Sequence, residues 1–228
     1  MRKVSIIIPI FNEKNTLSEI LRRVEGSNTL GLEKEIILVD DGSTDGTRGA
    51  LRGLENKYKI ICYQVNQGKG RALINGFAAS TGDIVLIQDA DLEYDPSNYP
   101  QLLEPILQNK TDIVYGSRNL KKNPADDLKF YLGRRLTNLF LNIVCNSRLT
   151  DFWTCYKVFR APIIKSLTLE SNRFDIEVEM TVKLINKGYK ILEVPIDYFP
   201  RDAKAGKKIK PKDGLIALWK ILKYRFTG

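Results

Sequence analysis

The sequence predicts an α/β fold built on a mostly parallel sheet flanked by helices. Three observations carry that expectation. Short apolar runs alternate with stretches of helical periodicity along the first half of the chain, and such alternation builds parallel sheets. The runs Ile6–Ile8, Ile36–Val39 and Ile84–Ile87 are apolar at successive positions, as strands buried on both faces require. Three strand ends are polar or acidic: Pro9-Ile10-Phe11-Asn12-Glu13, Asp40-Asp41-Gly42-Ser43 and Asp89-Ala90-Asp91. In open α/β sheets ligands bind beyond the carboxyl ends of the strands. Three such ends on one rim are hard to explain as helix caps alone.

Taken in order, Val4–Ile8 is a strand stopped by Pro9. Thr16 with Glu19 three residues on forms a capping box, and Leu17, Ile20, Leu21 and Val24 recur at helical spacing. Ile36–Val39 is the second strand, followed by a helix over Thr47–Lys57 and a third strand over Lys59–Val65. Asn66-Gln67-Gly68-Lys69-Gly70 is a turn opening a helix to Ala79, and Thr81-Gly82 breaks it. Ile84–Ile87 then ends in Asp89 and Asp91. Asp95-Pro96-Ser97 opens a helix over Asn98–Gln108, with Leu102, Leu103, Ile106 and Leu107 on one face. A strand over Asp112–Tyr115 closes at Gly116-Ser117-Arg118.

The second half reads differently. Lys121–Leu128 is a polar loop. Leu128–Val144 is a helix with Leu132, Leu136, Leu139, Phe140 and Ile143 as its apolar stripe. Asp151–Thr154 turns into a strand over Cys155–Phe159, and a helix follows over Ala161–Leu167. Phe174–Glu179 leads into a helix stopped by Gly188. Pro195 marks the strand Lys190–Tyr198 as an edge or a bulge. No repeat and no linker divides the chain. It is expected to be one domain in two halves (1–118 and 119–210) with a basic C-terminal helix (211–228).

Composition narrows the chemistry. The 228 residues include no histidine, which removes Ser-His and Cys-His mechanisms and leaves carboxylates as bases or metal ligands. Cys62, Cys145 and Cys155 suggest neither a disulfide framework nor a zinc site. No apolar run approaches the ~18–20 residues of a membrane span, and no signal peptide opens the chain, so a cytoplasmic protein is expected. The net charge is +9. From Arg201 to the C-terminus nine cations face two anions, so +7 of that charge sits in the last 28 residues. Such a tail suits an anionic partner, whether membrane surface, phosphate ligand or nucleic acid, or is simply solvated. Pro211–Phe226 reads as a helix with Leu215, Leu218, Trp219, Leu222 and Phe226 on one face. That face either lies in a membrane interface or packs on the protein's own core.

Side chains alternate along a strand, so Asp89 and Asp91 can point the same way. They either cap the following turn or hold a divalent cation against a phosphate-bearing ligand. Competing nucleotide motifs fail. Gly68-Lys69-Gly70 begins a GxGxxG whose third glycine position is Leu73, and no GxxxxGK[ST] loop exists.

Together these stretches resemble glycosyltransferase family 2, in its polyprenyl-phosphate (dolichol-phosphate mannose synthase-like) branch. The resemblance runs from Val4–Glu13 through Val39–Ser43, Asp89–Asp91, Gly116–Arg118 and Asp151–Phe159 to Glu193–Ile196 and Arg201–Ile209. It implies a GT-A fold and a nucleotide-sugar donor of the GDP-mannose or UDP-glucose type, bound with Mg²⁺ or Mn²⁺. Pro9, Phe11 and Glu13 would border the nucleoside, and Asp41 would contact base or ribose. Phe11 stands where many relatives have Tyr. Asp89 and Asp91 would be the DXD pair, with Asp91 the direct metal ligand. Arg118, Arg134 and Arg201 would hold donor and acceptor phosphates, and Lys208 would close from its loop.

The expected activity is metal-dependent, inverting transfer of a hexose to a polyprenyl phosphate, at the cytoplasmic face of a membrane reached peripherally or through a membrane partner protein. A lipid phosphate is already ionised and needs no general base. A hydroxyl acceptor would need one, and Asp151, Asp175 and Glu177 are the candidates; at Glu177 a structural role is favoured. A basic nucleic-acid-binding module is the remote alternative, opposed by the acidic rim and the lack of a nucleic-acid motif.

Overall fold

The computed structural model describes residues 1–124, 128–201 and 211–227; of residues 129, 130 and 211–213 only the backbone is considered. Seven strands form one sheet: β1 (Lys3–Ile10), β2 (Glu33–Asp40), β3 (Lys59–Cys62), β4 (Ile84–Ile87), β5 (Ile113–Ser117), β6 (Lys157–Arg160) and β7 (Leu192–Pro195). Their order is β3-β2-β1-β4-β6-β5-β7. Only β6 runs antiparallel to its neighbours, β4 and β5. The other pairings are parallel, so β1, β2, β4 and β5 all deliver their carboxyl ends to one rim.

The helices are α1 (Leu17–Gly26), α2 (Thr47–Leu51), α3 (Lys69–Ala79), α4 (Tyr99–Leu107), α5 (Leu128–Cys145), α6 (Ala161–Lys165), α7 (Ile176–Asn186) and α8 (Pro211–Thr227). α3 packs on β1 and β2, and α4 on β5 and β6. β1 lies between β2 and β4, and Val4, Ile6, Ile7, Ile8 and Ile10 are all buried, which is why it reads as an unbroken apolar run. Pro195 sits in the edge strand, where its missing N–H costs no ladder bond.

Several expectations are corrected. Thr16 makes no side-chain cap; its hydroxyl donates to the Glu13 carboxylate (2.8 Å), while Glu19 turns to Arg22 and Arg23. α2 stops at Leu51, with Gly53 at φ +87° shortly beyond. The third and seventh strands are shorter than expected, because only Lys59–Cys62 and Leu192–Pro195 pair with a neighbour.

A second, smaller apolar cluster joins α5, α7 and α8 through Leu141, Phe152, Val178, Val182, Ala217, Ile221 and Tyr224. Of the apolar stripe of α5, Phe140 packs against this cluster. Leu132, Leu136, Leu139 and Ile143 face outward, 49–71% exposed, whereas Leu141 and Cys145 face the cluster. α8 divides in the same way: Ala217, Ile221 and Tyr224 are buried, and Leu215, Trp219, Leu222 and Phe226 are exposed.

Candidate active site

Beyond the strand ends lies a cavity of about 680 Å³. The order of the parallel strands reverses between β1 and β4, the usual place for such a crevice. Pro9, Phe11, Glu13, Asp41, Asp89, Asp91, Arg118, Arg134 and Arg201 all line it. The sequence-derived set therefore converges, apart from Lys208, which lies outside the described residues.

The acidic end is built by tight turns. Gln88, buried after β4, donates to the carbonyls of Asp89 and Tyr94 and accepts from the hydroxyls of Tyr99 and Tyr156. Leu92 follows at φ +65°, a left-handed conformation rare for leucine. It is held there as Asp91 accepts the Glu93 amide at 3.1 Å. Asn12, at φ +54°, ties the loop after β1 to the loop after β2: its amide donates to Ser43 Oγ, and its side chain accepts from the Thr44 amide.

Arg201 rests among the rim carboxylates. Its Nη2 lies 2.9 Å from Asp91, Nη1 lies 3.3 Å from Glu13, and Nε lies 3.7 Å from Glu93. Burial, then the neighbouring Asp89 and Glu93 charges, push the Asp91 carboxyl up to about 7. Asp41 is committed to the backbone: its oxygens accept the amides of Gln67 (2.8 Å) and Gly68 (2.7 Å), and burial raises its pKa. It shapes that side of the cavity by fixing the loop. Gly68, at φ +100°, and Gly70 press on Ser171 and Asn172; an added Cβ at either would lie 2.2 Å from a backbone oxygen.

That loop delivers a residue the sequence reading passed over. Lys69 sits 2.9 Å from Asp89 and 3.3 Å from Glu177. Burial opposes its charge, yet Asp89 and Glu177 hold its pKa well above the ordinary lysine value. The signal was present, since Lys69 opens a helix at the same rim, but it was weighed only as part of a failed dinucleotide motif. Glu93 was also missed. It binds Tyr198 Oη and the Arg201 amide, and its partners come from more than a hundred residues away.

The other end of the cavity is cationic. Arg118 forms a two-point ion pair with Asp151, Nε–Oδ2 2.6 Å and Nη2–Oδ1 2.7 Å, and its guanidinium lies 5.1 Å from the Tyr198 ring centroid. Burial works against the Asp151 charge, but Arg118 keeps its pKa below the usual range. Glu193 fixes this corner by accepting the amides of Thr150 and Asp151. Arg134, Gly133 and Thr137 bring α5 to the wall, Gly214 brings α8, and Trp153 donates to Thr137 at 2.8 Å.

All three candidate bases carry cation partners. Asp151 has Arg118. Glu177 has Lys157, which is fully buried and also donates to the Phe152 carbonyl at 2.9 Å, together with Lys69. Asp175 lies 3.2 Å from Lys220. The structural role expected at Glu177 agrees with this burial and pairing.

The rim suits a hard divalent cation in charge and donor type: its side chains are carboxylates, and a guanidinium already stands among them. Among the described residues no group of three acidic or thiol ligands forms a closed metal site. Asp91 and Asp89 could supply one or two oxygens, with the remainder from a diphosphate and water, the pattern Mg²⁺ favours.

Comparison with known proteins agrees with this architecture. The chain is 33% identical over 218 residues to the dolichol-phosphate mannosyltransferase of Pyrococcus furiosus, covering 92% of this chain and 60% of that one. It is 30% identical over 169 residues to the undecaprenyl-phosphate 4-deoxy-4-formamido-L-arabinose transferase of Edwardsiella ictaluri, covering 72% of this chain and 51% of that one. It thus spans between half and about 60% of these relatives' length. Glucosyl-3-phosphoglycerate synthase of Mycobacterium tuberculosis, solved with UDP, superposes with a TM-score of 0.76 at 20% identity, covering 98% of this chain and 80% of that one. The same enzyme has been solved with Mn²⁺ and UDP and with Mg²⁺ and UDP. The fold is the GT-A fold. The model of "Glycosyl transferase family 2" matches residues 5–168, most of the chain, and with the acidic strand ends in place the protein belongs to that family.

Proposed function

We propose that this chain transfers a hexose from a nucleotide sugar to a polyprenyl phosphate at a membrane surface. The observation that carries the reading is the mixed lining of the cavity: carboxylates at the strand ends, with Arg118 just beyond β5 and Arg134 from α5. A nucleoside diphosphate and an acceptor phosphate would bind at opposite ends of such a site.

Pro9 and Phe11 border the nucleoside, and the loop fixed by Asp41 closes behind it. Asp91 and Asp89 would hold a divalent cation, which would supply positive charge to the departing diphosphate. Arg118 and Arg134 orient the acceptor phosphate, because guanidinium groups grip phosphate at two points and keep their charge. An acceptor phosphate oxygen bonds to the anomeric carbon as the bond from that carbon to the donor diphosphate breaks. No proton has to be removed. This fits a site in which Asp151, Asp175 and Glu177 are each paired with a cation. Attack opposite the leaving group inverts the anomeric centre.

Among the described residues no helix is long and apolar enough to cross a membrane. We place the protein at the cytoplasmic face. The two polyprenyl-phosphate relatives favour this acceptor class.

Sugar transfer from UDP- and GDP-hexoses to a short-chain polyprenyl phosphate, to the matching polyprenol and to simple saccharides tests the reading. Metal-dependent transfer to the phosphate alone is expected. Transfer to a saccharide hydroxyl with none to the phosphate would overturn it.

A further inference from the structure

We propose that Gln88 is the positioning residue that sets the spacing of Asp89 and Asp91 for a divalent cation and a diphosphate, acting from the protein interior and touching neither. The proposal rests on the reading of the acidic rim as a cation site, and the experiment below separates the two.

Gln88 is fully buried beyond β4 and is not among the residues that line the cavity. Its side chain nevertheless uses both donors and both acceptor positions of an amide. Nε2 donates to the carbonyl oxygens of Asp89 (2.9 Å) and Tyr94 (3.2 Å). Oε1 accepts from Tyr99 Oη and Tyr156 Oη, each at 2.8 Å. The partners dictate the orientation of the amide. A carbonyl can only accept, so the NH2 group must face Asp89 and Tyr94. Both phenols are fully buried, and burial raises their pKa values well above the ordinary tyrosine value, so both stay protonated and donate.

The two carbonyls are the ends of one turn. The segment from Asp89 to Tyr94 carries Asp89, Asp91 and Glu93, and a single NH2 group ties its first residue to its last. The clamp is anchored on rigid elements. Tyr99 opens α4, Tyr156 immediately precedes β6, and the Gln88 amide donates to the Ile7 carbonyl of β1 at 3.0 Å. A loose turn would have to be ordered when a cation and a diphosphate bind, and that ordering would weaken both. The clamp presents the two carboxylates at a fixed separation beforehand. Glutamine is the side chain this place requires. Methionine would fill the space but leave two buried carbonyls unpaired, and glutamate would set a carboxylate oxygen against them.

The test titrates Mn²⁺ alone, Mn²⁺–UDP and Mn²⁺–GDP into the full chain by isothermal calorimetry at about pH 8, where the Asp91 carboxyl is ionised. The variants are Gln88→Glu, Gln88→Met and Tyr99→Phe, each checked by circular dichroism and a thermal melt. The parent is expected to bind. Gln88→Glu and Gln88→Met should weaken Mn²⁺ binding about tenfold or more, the scale of one buried polar group left unpaired. Tyr99→Phe leaves Tyr156 on Oε1 and the NH2 group on both carbonyls. It should lower the melting temperature and keep Mn²⁺ affinity within about twofold of the parent. Affinity that follows melting temperature across all three variants would show a structural role only and overturn the proposal. So would parent-like affinity in a folded Gln88→Glu or Gln88→Met. If neither Gln88 variant folds, Tyr99→Phe/Tyr156→Phe decides. The pair frees Oε1, lets the amide turn, and should weaken Mn²⁺ binding where Tyr99→Phe alone does not; parent-like affinity of the pair overturns the proposal. A parent that binds neither Mn²⁺ nor its nucleotide complexes would overturn the cation reading and the proposal with it.

Discussion

Replacing Arg201 by alanine should make the free protein bind Mn²⁺ more tightly. The guanidinium stands 2.9 Å from Asp91 and 3.3 Å from Glu13, and a metal ion must compete with it for the same oxygens. At such separations each contact is worth about 5–6 kcal/mol before desolvation, at an effective dielectric of about 20. The cost of holding Arg201 half out of water offsets much of this, leaving a net hold of about 1.5–3 kcal/mol. Arg201→Ala should then tighten Mn²⁺ binding roughly 10- to 100-fold in the absence of donor. The gain depends on pH. Asp91 titrates at about 7, and without Arg201 it would titrate higher, so the comparison belongs at about pH 8 or above, where the carboxylate is ionised. At about pH 6 a proton replaces the guanidinium and most of the gain disappears. Electron paramagnetic resonance of free Mn²⁺, titrated with protein, reads the affinity directly. Unchanged or weaker binding by the variant at the higher pH would refute the competition. With nucleotide sugar present the same variant should bind donor less well, because the guanidinium then serves the diphosphate.

Asp91→Asn should flatten the pH dependence of stability. Its folded pKa lies above the unfolded carboxylate value, so the parent loses stability as pH rises from about 4 to about 7, by at most about 4 kcal/mol, and thermal melts without metal should show that slope only in the parent. Lys157→Met strands the buried Glu177 carboxylate and should cost about 3–5 kcal/mol, while Lys157→Met with Glu177→Gln should recover part of it. Equal urea midpoints for the single and double variants would contradict the pairing. Gly70→Ala forces a Cβ to 2.2 Å from the Ser171 carbonyl oxygen; a loss of roughly 1–3 kcal/mol and weaker donor binding should follow, and a parent-like melt would show that the seam yields.

The central strands were legible because both their faces are buried, so Ile6, Ile7, Ile8 and Ile84–Ile87 leave unbroken apolar runs, and their parallel order puts the acidic ends together. The donor-side residues were legible for the same reason, lying within a few positions of those ends. α5 was misread because periodicity shows that a helix has an apolar stripe and not which side of the stripe meets protein. The core took Leu141 and Cys145, two positions off the expected face. The long-range ion pairs were invisible for a different reason. Arg118 and Asp151 are 33 positions apart, and Arg201 and Asp91 are 110 apart. Nothing in local spacing joins them until the sheet is folded.

The press of Gly68 and Gly70 on Ser171 and Asn172 has a mechanical consequence. Ser171 also shares a hydrogen bond with Tyr224 of α8 at 2.9 Å, and Gly70 accepts no methyl group without moving that neighbour. The outermost helix is thereby coupled to the turn that aims Lys69 at Asp89 through two contacts and very little slack. A force that tilts α8 would reach the Asp89 end of the cavity through this one packed seam.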